Sequence, residues 1–176
     1  GNWRSRELPA GMELPAKKNS GFQKLSEIPL VTIYMPAYNC EEYIVDSINS
    51  ALKQTYRNIE ICVHDDGSID NTLKRVKSKF RFNRKVRISK GKNGGIGHAS
   101  NSAISNGRGE LILQLDSDDL LKENALEELV ELMREDVVCS YGSFNRINEI
   151  GEEIDDGWDW PIYSQERLMR SMIVHH

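Results

Sequence analysis

Asp116, Asp118 and Asp119 place three carboxylates within four residues, directly after the nearly continuous apolar run Leu111 to Leu115. Two like charges ~4 Å apart repel by about 1 kcal/mol in water and about 4 kcal/mol at an effective dielectric near 20. A divalent cation removes that penalty, and oxygen-only ligands select magnesium, manganese or calcium over zinc or copper. The same acids would be welcome in the first turn of a helix, where the dipole favours negative charge, although one capping acid suffices there. Asp116, Asp118 and Glu127 also match positions 1, 3 and 12 of an EF-hand loop, but Leu120 and Leu121 stand where that loop needs a ligand and a glycine.

Two further clusters carry polar chemistry. Asp65-Asp66-Gly67-Ser68 has the composition of a β-turn. Gly91-Lys92-Asn93-Gly94-Gly95-Ile96-Gly97 fits neither the P-loop pattern nor G-x-G-x-x-G. It could still offer backbone N–H groups and Lys92 to a phosphate at a helix start.

The elements that must position these clusters follow from periodicity. Leu30 to Tyr34 is a β-rich run closed by Pro36, which cannot donate to a ladder. Asn39 with Glu42 reads as a capping box for a helix whose Ile44, Ile48, Ala51 and Leu52 share one face. Ile59, Ile61 and Val63 alternate with polar neighbours as a second strand, and Leu73, Val76 and Phe80 mark a second helix. Val86 to Ile88 is a short strand, followed by a helix around Ala99, Ala103 and Ile104 that Gly107 and Gly109 terminate. Leu111 to Leu115 reads as a central strand covered on both faces. Leu126, Leu129, Val130 and Met133 add a helix, and Val137 to Tyr141 a last strand. Strands alternating with helices predict an α/β fold with a mostly parallel sheet and helices on both faces. Ligands of such sheets bind beyond the carboxyl ends of the strands, where all three polar clusters and Pro36 to Asn39 fall.

With 176 residues, 39% hydrophobic and 28% charged, the chain suits one soluble domain. No apolar run approaches the ~20 residues that span a bilayer. A net charge of −4 argues against a nucleic-acid partner. Cys40, Cys62 and Cys139 are odd in number and form no C-x-x-C pair, which fits a reducing, cytoplasmic setting. Residues 1–28 lack periodicity and read as a linker or appended segment. The end at Met172-Ile173-Val174-His175-His176, with no turn or polar tail, reads as a C-terminal truncation of a domain spanning 29–176.

Taken together, these motifs resemble family 2 glycosyltransferases with the GT-A fold, a nucleotide-diphospho-sugar transferase fold of Rossmann type, over about Pro29 to Asn148. The resemblance implies that the segment containing Pro36 and Tyr38 packs on the uracil of a UDP-sugar, with Tyr38 stacking, and that Asp66 accepts a hydrogen bond from that base. It implies that Lys92 and Asn93 lie on the phosphate side, although Ser100 replaces the arginine common before the final Asn of this loop. Asp116-Ser117-Asp118 would be the Asp-x-Asp motif, with Asp116 near the ribose or metal and Asp118 on manganese or magnesium.

A narrower resemblance, carried by Ile33 to Cys40, Gln114 to Asp119 and Trp160 to Ser164, is to the second, glucuronosyl-transferring domain of bacterial chondroitin polymerases and hyaluronan synthases. It implies inverting, metal-dependent transfer, with glucuronate the sugar moved from a UDP-sugar donor to an oligosaccharide or polysaccharide acceptor. Trp158 and Trp160 become acceptor-side candidates, His175 or His176 a further metal ligand, and the catalytic base falls beyond His176. Cytoplasmic action with peripheral association at the inner face of the cell membrane is the implied location. Two alternatives stay open. A strand followed by Asp-x-Asp also resembles the haloacid-dehalogenase-like phosphohydrolases, magnesium enzymes that would use Asp116 as nucleophile, although Leu120 stands where they carry Thr. The chain could also be a non-catalytic module that binds a nucleotide or glycan.

Overall fold

In a computed structural model, residues 25–133, 137, 139–140, 142, 145–148 and 150–154 are described. The chain divides into two compact units, Gly1–Ser140 and Tyr141–His176. In the first, elements alternate as β1 (Val31–Ala37), α1 (Ile44–Leu52), β2 (Ile59–Asp65), α2 (Thr72–Phe80), β3 (Val86–Lys90), α3 (Ile96–Ser105), β4 (Leu111–Gln114) and α4 (Ala125–Glu131). The second unit holds an antiparallel pair, β5 (Arg146–Ile147) with β6 (Glu153–Ile154).

The four strands of the first unit pair in parallel in the order β3-β2-β1-β4. β1 and β2 are buried on both faces because their alternating side chains meet helices on either side. One face supplies Val31, Ile33, Met35, Ile61 and Val63 to a core completed by Ile44, Ile48 and Ala51 of α1 and Val76 and Phe80 of α2. Each fully buried large side chain contributes about 1.5–3 kcal/mol. The small Ala99 and Ala103 of α3 let that helix approach β1 and β2 closely on the other face.

Two sequence expectations are corrected. Among the described residues, the apolar run Leu111 to Leu115 is not a central strand covered on both faces: β4 lies at the sheet edge beside β1, with Ile112 57% exposed. The face that carries Ile112 is left partly uncovered. The last strand expected at Val137 to Tyr141 is also absent from its described positions, Val137, Cys139 and Ser140.

Buried polar side chains lock the loops. Gln54, fully buried, donates from Nε2 to the carbonyl oxygens of Ser50 (3.2 Å) and Lys122 (2.8 Å) and accepts from the Leu126 N–H (3.0 Å). It thus ties α1 to the segment between the acidic cluster and α4. At the amino ends of the strands, Glu60 accepts from the Thr32 hydroxyl (2.8 Å) and the Arg108 N–H, and pairs with Arg87 and Arg108 (3.3 Å each). Burial raises the Glu60 pKa, but the Arg108 N–H, the Thr32 hydroxyl and the Arg87 charge outweigh it and leave the carboxyl below its ordinary value.

A carboxyl depressed in the folded state contributes stability above its unfolded pKa of about 4.3, and that contribution disappears as pH falls through the folded value. Glu60→Gln is therefore expected to destabilise the chain by about 1–3 kcal/mol at pH 7 in urea unfolding. The gap from wild type should shrink as pH falls below the ordinary carboxylate value and through the lowered folded one, where the native side chain takes up its proton.

Candidate functional site

The carboxyl ends of the strands gather four loops at one rim, and the anchor among them is the turn after β2. The Asp66 N–H donates to the Ala37 carbonyl (2.8 Å), prolonging the pairing of β2 with β1. Its side chain, 3% exposed, turns to the glycine-rich loop and accepts from the N–H groups of Gly94 (3.0 and 3.2 Å) and Gly95 (2.8 Å). Gly67 permits this turn at φ +76°, and a Cβ there would lie 2.9 Å from the Asn93 nitrogen. Burial raises the Asp66 pKa, but the Gly94 and Gly95 N–H groups and His98 more than offset it, so the carboxyl stays below its ordinary range. The anion at the start of α3 is thus the protein's own carboxylate. The Gly94 and Gly95 amides expected to be open to a phosphate are already engaged. A carboxylate has about four acceptor positions, so Asp66 keeps capacity for a further donor.

The end of β1 is fastened to the same turn. Asn39 does not cap α1: it sits at φ +49°, its N–H donates to Ser68 Oγ (3.0 Å) and its Oδ1 accepts from the Ile69 N–H (2.9 Å). The helix begins later, at Ile44, without a side-chain cap. Glu41 takes up the bracing instead, accepting from the Asn71 N–H (2.9 Å) while its own N–H donates to Asp70 (3.1 Å). Pro36 is buried opposite His64, and Tyr38 stands on the rim 48% exposed.

The acidic cluster lies at the end of β4, where the sheet order reverses about β1. Tyr34 donates its hydroxyl to Gln114 Oε1 (2.8 Å), and Gln114 Nε2 donates to Asp116 Oδ1 (2.9 Å). A turn brings the Asp119 N–H to the Asp116 carbonyl (3.1 Å), and Ser47 of α1 holds the Ser117 carbonyl (2.9 Å). Asp116 is half-buried and Asp118 exposed. Burial, then the charges of Asp118 and Asp116, hold the Asp119 carboxyl above its ordinary value.

Lys92 and Asn93 lie exposed on the loop that Asp66 holds. The structure therefore brings Pro36, Tyr38, Asp66, Lys92, Asn93, Asp116 and Asp118 to one end of the sheet. Trp158, Trp160, His175 and His176 lie outside the described residues. Sequence reasoning did not anticipate Gln54, Gln114, or a group formed by His64, Asp66 and His98, whose ligand atoms lie within 4.8 Å of one another. The tertiary fold brings Gln54 to Lys122 and Leu126, Gln114 to Tyr34, and His98 to His64, so no short spacing motif announces these contacts.

The model of glycosyl transferase family 2 matches residues 32–174. The chain belongs to this family. Chondroitin synthase of Escherichia coli is 46% identical over 86% of this chain and 22% of its own length. Hyaluronan synthase of Pasteurella multocida is 43% identical over 86% of this chain and 16% of its own length. The chain thus spans about a fifth or less of these relatives. Among solved structures, Staphylococcus aureus TarS 1–349 in complex with UDP-GlcNAc is 34% identical with a TM-score of 0.54, over 58% of this chain and 30% of that one. The α/β sheet is the GT-A arrangement of these neighbours, and family membership sets the strand-Asp-x-Asp segment apart from the phosphohydrolases. No described helix is long and apolar enough to cross a membrane.

Asp66→Asn replaces an acceptor oxygen with a donor group facing the Gly94 and Gly95 amides. Hydrogen exchange at those two amides is expected to accelerate at least tenfold, with the β1 and β2 amides unchanged.

Proposed function

We propose that this family 2 chain is the donor-binding part of an inverting glycosyltransferase that moves a sugar, glucuronate in our reading, from a UDP-sugar to a growing polysaccharide. The observation that carries it is the convergence of two acidic centres on one rim, Asp66 with its loop on one side of β1 and Asp116 to Asp119 on the other. The names of the chondroitin and hyaluronan synthase relatives support the polysaccharide acceptor. The complex of TarS with UDP-GlcNAc supports a UDP-linked donor. Three free thiols suit a cytoplasmic setting, where the proposed reaction takes place at the inner face of the membrane.

In this reading Tyr38, exposed on the rim, stacks on uracil, and Asp66 accepts the base N–H with the acceptor capacity the glycine loop leaves it. Pro36 backs the base from the end of β1. Lys92 and Asn93 face the diphosphate from the exposed loop. The residues of the acidic cluster fit a hard divalent cation, manganese or magnesium, because the cluster offers carboxyl oxygens alone and the charges of Asp118 and Asp116 act together on Asp119. Asp116 and Asp118 would hold it. When bound, such an ion stabilises the negative charge that develops on a departing UDP. Gln114 and Tyr34 orient Asp116 for this task through their hydrogen bonds. An acceptor hydroxyl then attacks the anomeric carbon from the face opposite UDP, which inverts the configuration.

Calorimetry with UDP, UDP-glucuronate and UDP-N-acetylhexosamines, with and without manganese, tests the proposal. Manganese should tighten UDP binding at least tenfold, about 1.4 kcal/mol. Asp118→Ala should abolish that gain, while Asp66→Ala should weaken UDP with or without the ion. UDP binding indifferent to manganese would overturn the assignment of the acidic cluster, and tighter binding of a UDP-N-acetylhexosamine than of UDP-glucuronate would overturn the choice of sugar.

A further inference from the structure

We propose that His64, Asp66 and His98 form a second metal site, suited to zinc and related borderline transition ions rather than to the hard cations that fit Asp116 and Asp118. The contacts around Ser89 tether the first ligand. Ser89 Oγ lies 3.3 Å from the Val63 carbonyl oxygen and accepts from Asn106 Nδ2 (3.1 Å). It lies 2.9 Å from His64 Nδ1, and with the Ser89 proton directed to Val63 the imidazole donates in that contact. In that tautomer His64 carries its hydrogen on Nδ1, and Nε2 presents a lone pair. The side chain is 5% exposed, and Nε2 has no hydrogen-bond partner. A histidine tethered through one ring nitrogen, with the other free, is the arrangement metal ligation uses.

Asp66 supplies the second ligand, as a carboxylate held by the Gly94 and Gly95 amides. His98, in the first turn of α3, supplies the third: its Nδ1 is 3.6 Å from Asp66 Oδ1, and its ring meets that of His64 at 73° with centroids 6.1 Å apart. The three ligand atoms lie within 4.8 Å of one another. A tetrahedral zinc ion with bonds of about 2.0–2.1 Å sets its ligand atoms about 3.3 Å apart. The adjustment falls on His98, whose side chain is 55% exposed and can rotate. A Cβ at Gly91 would sit 3.0 Å from His64 Nε2 and 3.9 Å from His98 Cε1, so glycine keeps the space between the two imidazoles clear. Two nitrogens and one oxygen leave a fourth position for water, and nitrogen donors favour zinc over magnesium or manganese. The ion would engage Asp66, so it would oppose nucleotide binding; that consequence, unlike the site itself, rests on the base-reading role proposed above.

Zinc calorimetry on the 176-residue chain tests the site, with cobalt substitution to read the visible absorption of a tetrahedral ion. One ion per chain is expected, and His64→Asn and His98→Ser should each weaken binding at least tenfold while Asp118→Ala leaves it unchanged. His98→Ser alters an exposed side chain, so its result does not depend on the core. Zinc binding indifferent to both substitutions would belong elsewhere, for example to Cys139 or the His175-His176 pair, and would overturn the proposal. Uridine, which lacks zinc-chelating phosphates, separates the two readings. Weaker uridine binding in the presence of zinc supports both; zinc bound with no effect on uridine keeps the metal site and removes Asp66 from the base.

Discussion

A single buried carboxylate organises the rim of this sheet. Asp66 could not remain ionised at 3% exposure without donors, and the amides of Gly94 and Gly95 supply them. The contact satisfies two amides just before α3 and fixes the course of the glycine-rich loop. It also fastens that loop to the turn after β2, where Ser68, two residues beyond Asp66, accepts from the Asn39 N–H at the end of β1. Three chain segments distant in sequence thus share one electrostatic centre, and Tyr38, Lys92 and Asn93 take their places from it.

The acidic cluster is built on the opposite principle. Asp66 is surrounded by donors, whereas at the second centre burial and then the charges of Asp118 and Asp116 raise the Asp119 carboxyl. The fold tolerates this because Gln54 and Ser47 hold the surrounding backbone through buried hydrogen bonds, so the loop cannot relax the repulsion by swinging away. One centre is matched by backbone donors and the other gathers carboxyl oxygens, and β1 separates them. In the function proposed above, that difference would match the two ends of a nucleoside diphosphate, a neutral base that offers a donor and a phosphate group that brings a cation.

The alternation of Ile59, Ile61 and Val63, the helical spacing of Ile44, Ile48 and Ala51, and the acids following an apolar strand were legible because each is a local pattern. They were enough to place the clusters at one end of a parallel sheet. Asn39 was misread because its partner, Ile69, lies 30 residues away, and a capping signal looks identical to a residue that turns back to another loop. Leu111 to Leu115 has the composition of a central strand, but composition cannot count neighbours. The pairing of His64 with His98 had no local trace at all, since one belongs to a strand's alternation and the other to a helix turn. The glycine loop was recognised as a feature, but the turn of its Gly94 and Gly95 amides to Asp66 was not, for the same reason.

The chain of hydrogen bonds from Tyr34 through Gln114 to Asp116 couples the acidic cluster to strand pairing. Tyr34 and Gln114 sit side by side in the register of β1 with β4, and both project to the same face. A one-residue slip of β4 would preserve backbone pairing yet send every side chain to the opposite face. The polar relay would then point into the apolar layer, and the first acid would lose its support. Correct alignment of an edge strand, ordinarily a matter of folding fidelity, is here inseparable from the orientation of the Asp116 carboxylate.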